Sequence, residues 1–194
     1  DGSLPPGASA DNRVDRTLAR IYPRLEAQAR RGIPVPLVLI GTEFLTFGIK
    51  QAWACLFGGL MLAAIIASSA WPDQLPLARY DFLVLWAVGL QLAFLATRLE
   101  RPREALIILI FHAVGTLMEL YKTRVGSWLY PEESLLRLTL LGGSVPLFSG
   151  FMYAAVGSYF ARVQRTFDFQ FTNYPRRRWT ALLAALIYLN FFTH

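Results

Sequence analysis

The feature that most constrains the fold of this chain is a long apolar run that contains ionisable side chains. Residues 104–122 (EALIILIFHAVGTLMELYK) carry His112 and Glu119 inside an otherwise apolar stretch. A helix of about 20 apolar residues crosses the hydrocarbon core of a bilayer. Ionisable groups are costly there and, by default, mark a functional site. The run therefore predicts a transmembrane helix with one functional face.

The overall composition also indicates lipid as the main solvent. The chain is 55% hydrophobic and only 16% charged, whereas a soluble domain carries about 25% charged residues. The net charge is +6, but the arginines lie in blocks between apolar runs, which is typical of membrane topology rather than of nucleic-acid binding. We therefore expect the lipid bilayer as a partner, and no nucleic acid.

The sequence predicts neither a metal site nor a cofactor. The single cysteine, Cys55, allows no internal disulfide, and the two histidines, His112 and His194, lie far apart. The chain contains no H-E-x-x-H motif, phosphate-binding loop or dinucleotide-binding glycine pattern.

The chain divides into three segments. Residues 1–10 are rich in glycine, proline and serine, and we expect a disordered N-terminus. In residues 11–32, apolar residues recur at helical spacing among arginines, which predicts either a basic amphipathic helix on the cytoplasmic membrane surface or a solvated helix packed on loops. Residues 33–194 are expected to form the transmembrane helix bundle, truncated at its C-terminus.

The apolar runs predict an all-α fold, a polytopic transmembrane helix bundle with about five spans. The 38-residue stretch Ile33–Ala70 is too long for one straight span. We therefore expect an interfacial or re-entrant segment at 33–47 and a break marked by Glu43 and Lys50. The predicted spans are 48–70, 80–97, 104–122, 137–161 with a bend at Pro146, and a fifth that starts at Trp179.

The distribution of basic residues predicts the orientation of the chain. With Ile33–Ala70 as one crossing, fourteen basic residues fall on the side of the N-terminus and four on the other side. Lysine and arginine accumulate on the cytoplasmic side of membrane proteins. We therefore expect the N-terminus to be cytoplasmic.

Several polar side chains share one face of the third span. At 100° per residue, an arc of about 60° holds His112, Thr116, Glu119 and Thr123. Lys122 follows Glu119 by three residues, so the two side chains are close enough to pair. Trp128 and Tyr130 follow just beyond the end of this span.

Two interpretations of this polar stripe are open. In the first, it lines a pocket that opens outward, and the catalytic residues are Glu119, His112 and Lys122. Glu119 donates or accepts a proton there, and Lys122 holds its charge. The substrate-binding residues are then Thr116, Thr123, Trp128 and Tyr130. In the second, Glu119 and Lys122 reach the membrane interface, and His112 makes an interhelical hydrogen bond.

A second polar group precedes the first full span. Glu43 and Lys50 are two helical turns apart and can share a face, and Gln51 follows them. In one interpretation they form a salt bridge that orients a helix break. In the other, Glu43, Lys50 and Gln51 contact a substrate or line a polar path.

Several blocks of the sequence resemble a known family. The blocks are Glu43–Leu45 with Phe47–Gly59, Met118–Thr123 with Gly126–Glu132, Pro146–Tyr153 and Asn190–His194. They are similar to the YoaT-type family, a group of bacterial integral membrane proteins of unknown function, over about residues 33–194. The resemblance implies a bacterial inner membrane and a chain that continues past the last block, and it implies no activity.

A shorter likeness concerns the stretch from Glu119 to Tyr130. An acidic residue ahead of a glycine and aromatic stretch is similar to a pattern in membrane carotenoid hydratases and cyclases, which protonate or hydrate an isoprenoid double bond. We therefore expect an enzyme on a lipid-soluble, isoprenoid-like substrate. The alternatives are a small-solute or ion transporter, which requires a continuous polar path from Glu43 to Glu119, and a non-catalytic scaffold.

Overall fold

The structure of the protein is a computed structural model. It describes residues 20, 23, 24, 27, 35–72, 74–167, 169 and 171–193, and only the backbone of 35–39 and 42. The predicted disordered segment, residues 1–10, lies outside the described residues. The predicted amphipathic segment, residues 11–32, also lies outside them except for positions 20, 23, 24 and 27.

Helices dominate this part of the chain, as the sequence predicts. The helices in chain order are α1 (Val35–Ala54), α2 (Leu56–Ala67), α3 (Arg79–Ala96), α4 (Pro102–Arg124), α5 (Phe148–Thr166) and α6 (Arg177–Thr193). A 3₁₀ turn, Ser68–Ala70, extends α2. One antiparallel hairpin, β1 (Arg137–Leu140) and β2 (Gly143–Pro146), lies between α4 and α5.

Two helices, α3 and α4, are long and apolar enough to cross a membrane. They match the second and third predicted spans. Glu43–Ala54 and Leu56–Ala70 together meet the same test as one further span that is bent by 65°. The described residues therefore contain two candidate spans, or three if the bent pair counts as one.

The first apolar stretch breaks at a different position from the one expected. The expected break was marked by Glu43 and Lys50, but α1 runs through both residues and ends just before Cys55. Glu43 is exposed, so a continuous helix does not bury its charge. At the actual break, Arg162 Nη1 donates a hydrogen bond of 3.3 Å to the Trp53 carbonyl, and carbonyls at a helix end need such partners. A side chain from far along the sequence therefore supports the bend.

The fourth predicted span, 137–161, begins with a hairpin instead of a helix. Leu141 and Gly142 form the hairpin turn with φ angles of 54° and 84°, and positive φ at two successive residues is what the tightest hairpin turns require. Pro146, which was expected to bend a helix, ends β2, and α5 begins at Phe148. A short apolar run fits a strand as well as a helix, so hydropathy did not reveal the hairpin.

The bundle has two ends, and α5 runs between them. The hairpin end contains β1, β2 and the last turn of α4. The turn end contains the α3–α4 turn, residues 97–101, and the last turn of α5. Arg165 on α5 donates a hydrogen bond to the Leu99 carbonyl of the α3–α4 turn. Because α5 packs against α1, α2, α3 and α4, it positions side chains from most of the bundle relative to one another.

The fifth predicted span, from Trp179, lies within α6. This helix has 17 residues and no buried side chain. It meets α4 at the hairpin end, where the Tyr121 hydroxyl donates a hydrogen bond of 2.7 Å to the Phe192 carbonyl. The last turn of α6 therefore lies beside the end of α4.

Gly115 on α4 allows α5 to come very close, because a Cβ atom added there meets the Tyr153 ring. We expect Gly115→Ala to lower the free energy of unfolding by about 1–3 kcal/mol through overpacking, measured by denaturant titration in detergent. Gly89→Ala is the matched control, because nothing lies within 4 Å of that Cβ position, and alanine should stabilise α3 by about 0.5–1 kcal/mol. Equal effects of the two substitutions would contradict the close contact at Gly115.

Candidate functional site

The centre of the candidate site is the carboxylate of Glu119 on α4, which is only 3% exposed. Trp128 Nε1 and the Tyr130 hydroxyl each donate a hydrogen bond of 2.8 Å to Glu119 Oε2. The Tyr153 hydroxyl donates a third, also of 2.8 Å, to Oε1. No cation in the described part of the chain forms an ion pair with Glu119. A buried carboxylate is therefore held by three neutral donors alone.

The end of α4 turns the chain back so that two of these donors reach Glu119. Gly126 has a φ of 76°, and the bonds Ser127 N–H to Lys122 O (3.0 Å) and Gly126 N–H to Thr123 O (3.3 Å) form a Schellman motif, the usual way in which glycine ends a helix. Trp128 then follows the reversal directly. The conformation of Gly126 thus places the loop over the last turns of α4.

Contacts with α3 and the hairpin anchor the same loop. The Asp81 carboxylate accepts hydrogen bonds of 2.6–2.8 Å from the Ser134 hydroxyl and from the N–H groups of Leu135 and Leu136. Arg137 Nη2 donates a bond of 2.7 Å to the Tyr130 carbonyl. The position of Tyr130 is therefore determined from both sides of the loop.

Tyr130 remains a hydrogen-bond donor because its surroundings disfavour the phenolate. Burial, reinforced by the hydrogen bond to the Glu119 carboxylate, raises the pKa of Tyr130 well above its usual value. Its ring lies 6.0 Å from the rings of Tyr80 and Phe148, edge to face in both cases. The hydroxyl therefore keeps its proton and donates a hydrogen bond to Glu119.

Tyr153 on α5 was not among the predicted site residues. It lies 34 positions from Glu119 in the sequence, and no helical spacing connects two residues on different helices. The one sequence signal that included it was the block Pro146–Tyr153, which resembles the family. Trp128 and Tyr130, by contrast, were predicted to bind a substrate, and both contact Glu119 directly.

The structure places the two threonines of the stripe on the buried face of α4, but their hydroxyls are already engaged. Thr116 donates a bond of 2.8 Å to the His112 carbonyl, and Thr123 donates one of 3.0 Å to the Glu119 carbonyl. Such bonds within one helix leave the hydroxyl donors unavailable to a ligand. The substrate contacts expected of Thr116 and Thr123 stay a prediction.

Lys122 and His112 are close to Glu119 along α4 but do not contact its carboxylate. The expected ion pair between Lys122 and Glu119 does not form, and the Lys122 ammonium lies 4.7 Å from the centre of the Phe191 ring on α6. His112 packs against Phe151 at 4.3 Å between ring centres. The donors around Glu119 satisfy it without the lysine, which can instead interact with an aromatic face.

The second predicted group lies elsewhere in the bundle. Glu43 is exposed, and the Lys50 ammonium lies 5.3 Å from the Phe167 ring centre at the turn end. The expected Glu43–Lys50 salt bridge does not form. Gln51 accepts a bond of 3.1 Å from the Tyr159 hydroxyl. These three residues are therefore not part of the Glu119 cluster.

A buried ion pair at the turn end was missed by sequence reasoning. Arg162 on α5 is completely buried, and its guanidinium lies 3.0 Å from the Glu100 carboxylate, whose side chain is 1% exposed. Ser158 and Gln91 donate further hydrogen bonds to Glu100. The guanidinium also lies over the Trp53 ring at 4.6 Å. Arg162 directly follows the fourth predicted span, 137–161, so the sequence predicted a loop position for it, because a loop arginine and a buried one have the same local pattern.

Cavities lie at both ends of the described part of the bundle. The one at the hairpin end has a volume of about 880 Å³ and is lined partly by Trp71, Arg79 and Asp81. The one at the turn end has a volume of about 640 Å³. Neither is lined by Glu119, so neither is the outward-opening pocket that was expected on the third span. Among the described residues, no group of three or more His, Cys, Asp or Glu side chains is arranged to hold a metal ion.

Comparison with known proteins identifies the family. A family model described as a protein of unknown function (DUF817) matches residues 43–194. The chain is 40% identical over 153 residues to the uncharacterized protein YoaT of Bacillus subtilis (strain 168), which corresponds to 78% of this chain and 56% of that protein. The chain thus spans a little more than half the length of this relative. No solved structure matches it. The candidate spans and the bacterial relative indicate a membrane protein, and the chain belongs to the DUF817 family, the YoaT-type family that its sequence blocks resemble.

Proposed function

We propose that this protein is a multi-pass enzyme of the bacterial inner membrane that acts on a lipid-soluble, isoprenoid-like substrate, with Glu119 as its general acid or base. One observation carries the proposal: a carboxylate that is 3% exposed is held by three neutral donors and by no described cation. Ionisable groups are costly inside a membrane span, and buried carboxylates of this kind are functional sites by default.

The donors around Glu119 suit a group that gains and loses a proton. A carboxylate accepts bonds from both tyrosine hydroxyls, and a protonated carboxyl can donate to either, because a hydroxyl both donates and accepts. Tyr130 and Tyr153 therefore satisfy Glu119 in both protonation states. Lys or Arg in their place would hold the carboxylate in its charged form.

A route to Glu119 leads past Trp128. The indole donates to the carboxylate, yet Trp128 is 40% exposed and its neighbour Leu129 is 76% exposed. We propose that rotation of the Trp128 side chain opens this route at the edge of the bundle. A substrate dissolved in the bilayer could then reach the carboxylate from the side.

The proposed topology has five spans with the N-terminus in the cytoplasm. The spans are the bent α1–α2 pair, α3, α4, α5 and α6. In this arrangement the arginines of the α3–α4 turn, of the last turn of α5 and of the start of α6 all fall at the turn end. The positive-inside rule then assigns the turn end to the cytoplasm.

A transport path from Glu43 to Glu119 has less support. The described polar contacts fall into two groups on α5, one around Tyr153 and one around Arg162. These two residues are nine positions apart, about 14 Å along a helix. Between them, Ala154 is completely buried and Ala155 packs against a hydrophobic cluster, so we do not expect one continuous polar path through the bundle.

Lipid profiling followed by conversion in vitro tests the proposal. In a strain that lacks the gene, we expect one class of neutral isoprenoid-like lipid to accumulate, and the wild-type gene should restore the profile. The purified protein in detergent should then convert the accumulated lipid, with heat-denatured protein as the control. An unchanged lipid profile would favour a scaffold. Accumulation without conversion by the purified protein would favour a transporter, and either result would overturn the enzymatic proposal.

A further inference from the structure

The cavity at the turn end has the composition of a binding site for an anionic headgroup. Its volume is about 640 Å³, and it lies between the α3–α4 turn and the last turn of α5. Its basic lining consists of Arg98, Arg101 and Arg165, and its apolar lining of Leu95, Pro102 and Ala105. Arginine matches the geometry of phosphate oxygens, and the apolar side chains suit the part of a lipid next to its headgroup.

The charge around this cavity is positive even after the local acids are counted. Glu100 also lines the cavity, but the ion pair with Arg162 neutralises the charge of its carboxylate. Glu104 is paired in the same way with Arg165 at 2.9 Å. With Arg98 and Arg101 of the α3–α4 turn and Arg103 of the first turn of α4, the described residues of this region include five arginines and two glutamates. Its net charge of +3 favours an anionic ligand.

The backbone at Arg98 is an independent sign that its side chain has a role. Arg98 has a φ of 57°, a conformation that costs a residue with a side chain roughly 1 kcal/mol and costs glycine little. Its guanidinium is exposed and has no partner among the described residues. An arginine is thus present at a position where glycine would give the more stable turn. A ligand outside the chain that binds the Arg98 guanidinium would account for this conformational cost.

We propose that the turn end binds the phosphate headgroup of an anionic phospholipid in this cavity. The cavity lies at the end of the candidate span α3 and the start of the candidate span α4. In helices that cross a bilayer, these positions lie at the depth of the lipid headgroups. Basic pockets between membrane helices on the cytoplasmic side bind anionic headgroups, and the proposed topology puts the turn end on that side. The site is separate from Glu119, so its test does not depend on the enzymatic proposal.

Binding to short-chain lipids in detergent tests this inference. The full chain is purified in a neutral detergent and titrated with short-chain phosphatidylglycerol, and bound lipid is counted by native mass spectrometry. Phosphatidylcholine of the same chain length and inorganic phosphate are the comparison probes. The test variant combines Arg98→Gly with Arg101→Ala. The control variant combines Arg176→Ala with Arg177→Ala, which removes the same charge from exposed positions outside the cavity.

We expect phosphatidylglycerol to bind the test variant at least about tenfold more weakly than wild type, and the control variant within about twofold. Phosphatidylcholine and inorganic phosphate should bind wild type at least about tenfold more weakly. Equal losses of phosphatidylglycerol binding in both variants would mean that the lipid is held by general charge attraction. Unchanged binding in the test variant would exclude the cavity as the binding site. Phosphate that binds as well as the lipid would assign the site to a free anion. Arg98→Gly alone should melt no lower than wild type, so a loss of binding in that variant cannot come from unfolding.

Discussion

Arg162→Met is expected to lower the free energy of unfolding by about 3–5 kcal/mol. The substitution leaves the Glu100 carboxylate buried at the turn end without its cation, since both side chains of the pair are at most 1% exposed. It also removes the donor to the Trp53 carbonyl that supports the bend between α1 and α2. Denaturant titration of the purified protein in detergent measures the loss.

Two further variants separate the buried charge from general effects of the substitution. Glu132→Gln breaks the Arg79–Glu132 pair, in which the side chains are 20% and 41% exposed, and should cost less than about 1 kcal/mol. Arg162→Met combined with Glu100→Gln should recover much of the loss, because no uncompensated charge remains. If the single and double variants are equally unstable, the cost comes from lost packing and the ion pair is not its cause.

Glu119→Gln is expected to reduce lipid conversion by about 10²–10⁴-fold, the usual contribution of a positioned acid or base. The amide oxygen still accepts a hydrogen bond, so we expect the free energy of unfolding to change by no more than about 1 kcal/mol. Initial rates with the lipid that accumulates in the deletion strain provide the measurement. Full activity of Glu119→Gln would remove Glu119 from the chemistry.

A pair of tyrosine variants is the matched control for this result. Tyr153→Phe removes one donor to Glu119, whereas Tyr159→Phe removes a hydroxyl of the same helix that binds Gln51 instead. We expect lower activity for Tyr153→Phe and wild-type activity for Tyr159→Phe. Equal losses would indicate that the effect is transmitted through α5 as a whole and not through the Glu119 carboxylate.

Local sequence pattern was sufficient to predict the two candidate membrane spans, α3 and α4, and the buried face of α4. The runs in α3 and α4 are close to the length that a bilayer requires, and the 3.6-residue helical period puts Thr116, Glu119 and Thr123 on the same side of α4. All three are buried in the structure. Gly126 also marks the end of α4 at the place where a glycine commonly ends a helix.

Hydropathy, helical period and charge distribution are patterns over neighbouring residues. They were therefore sufficient to identify these two helices and the buried carboxylate on α4. The tertiary structure decided the remainder, because its decisive contacts join positions 34 and 62 apart, Glu119 with Tyr153 and Glu100 with Arg162. Whether an apolar stretch becomes a hairpin, where a helix breaks, and whether an arginine is solvated or buried all depend on what packs beside it. That information lies in the assembled bundle, since packing against α5 brings these distant residues together.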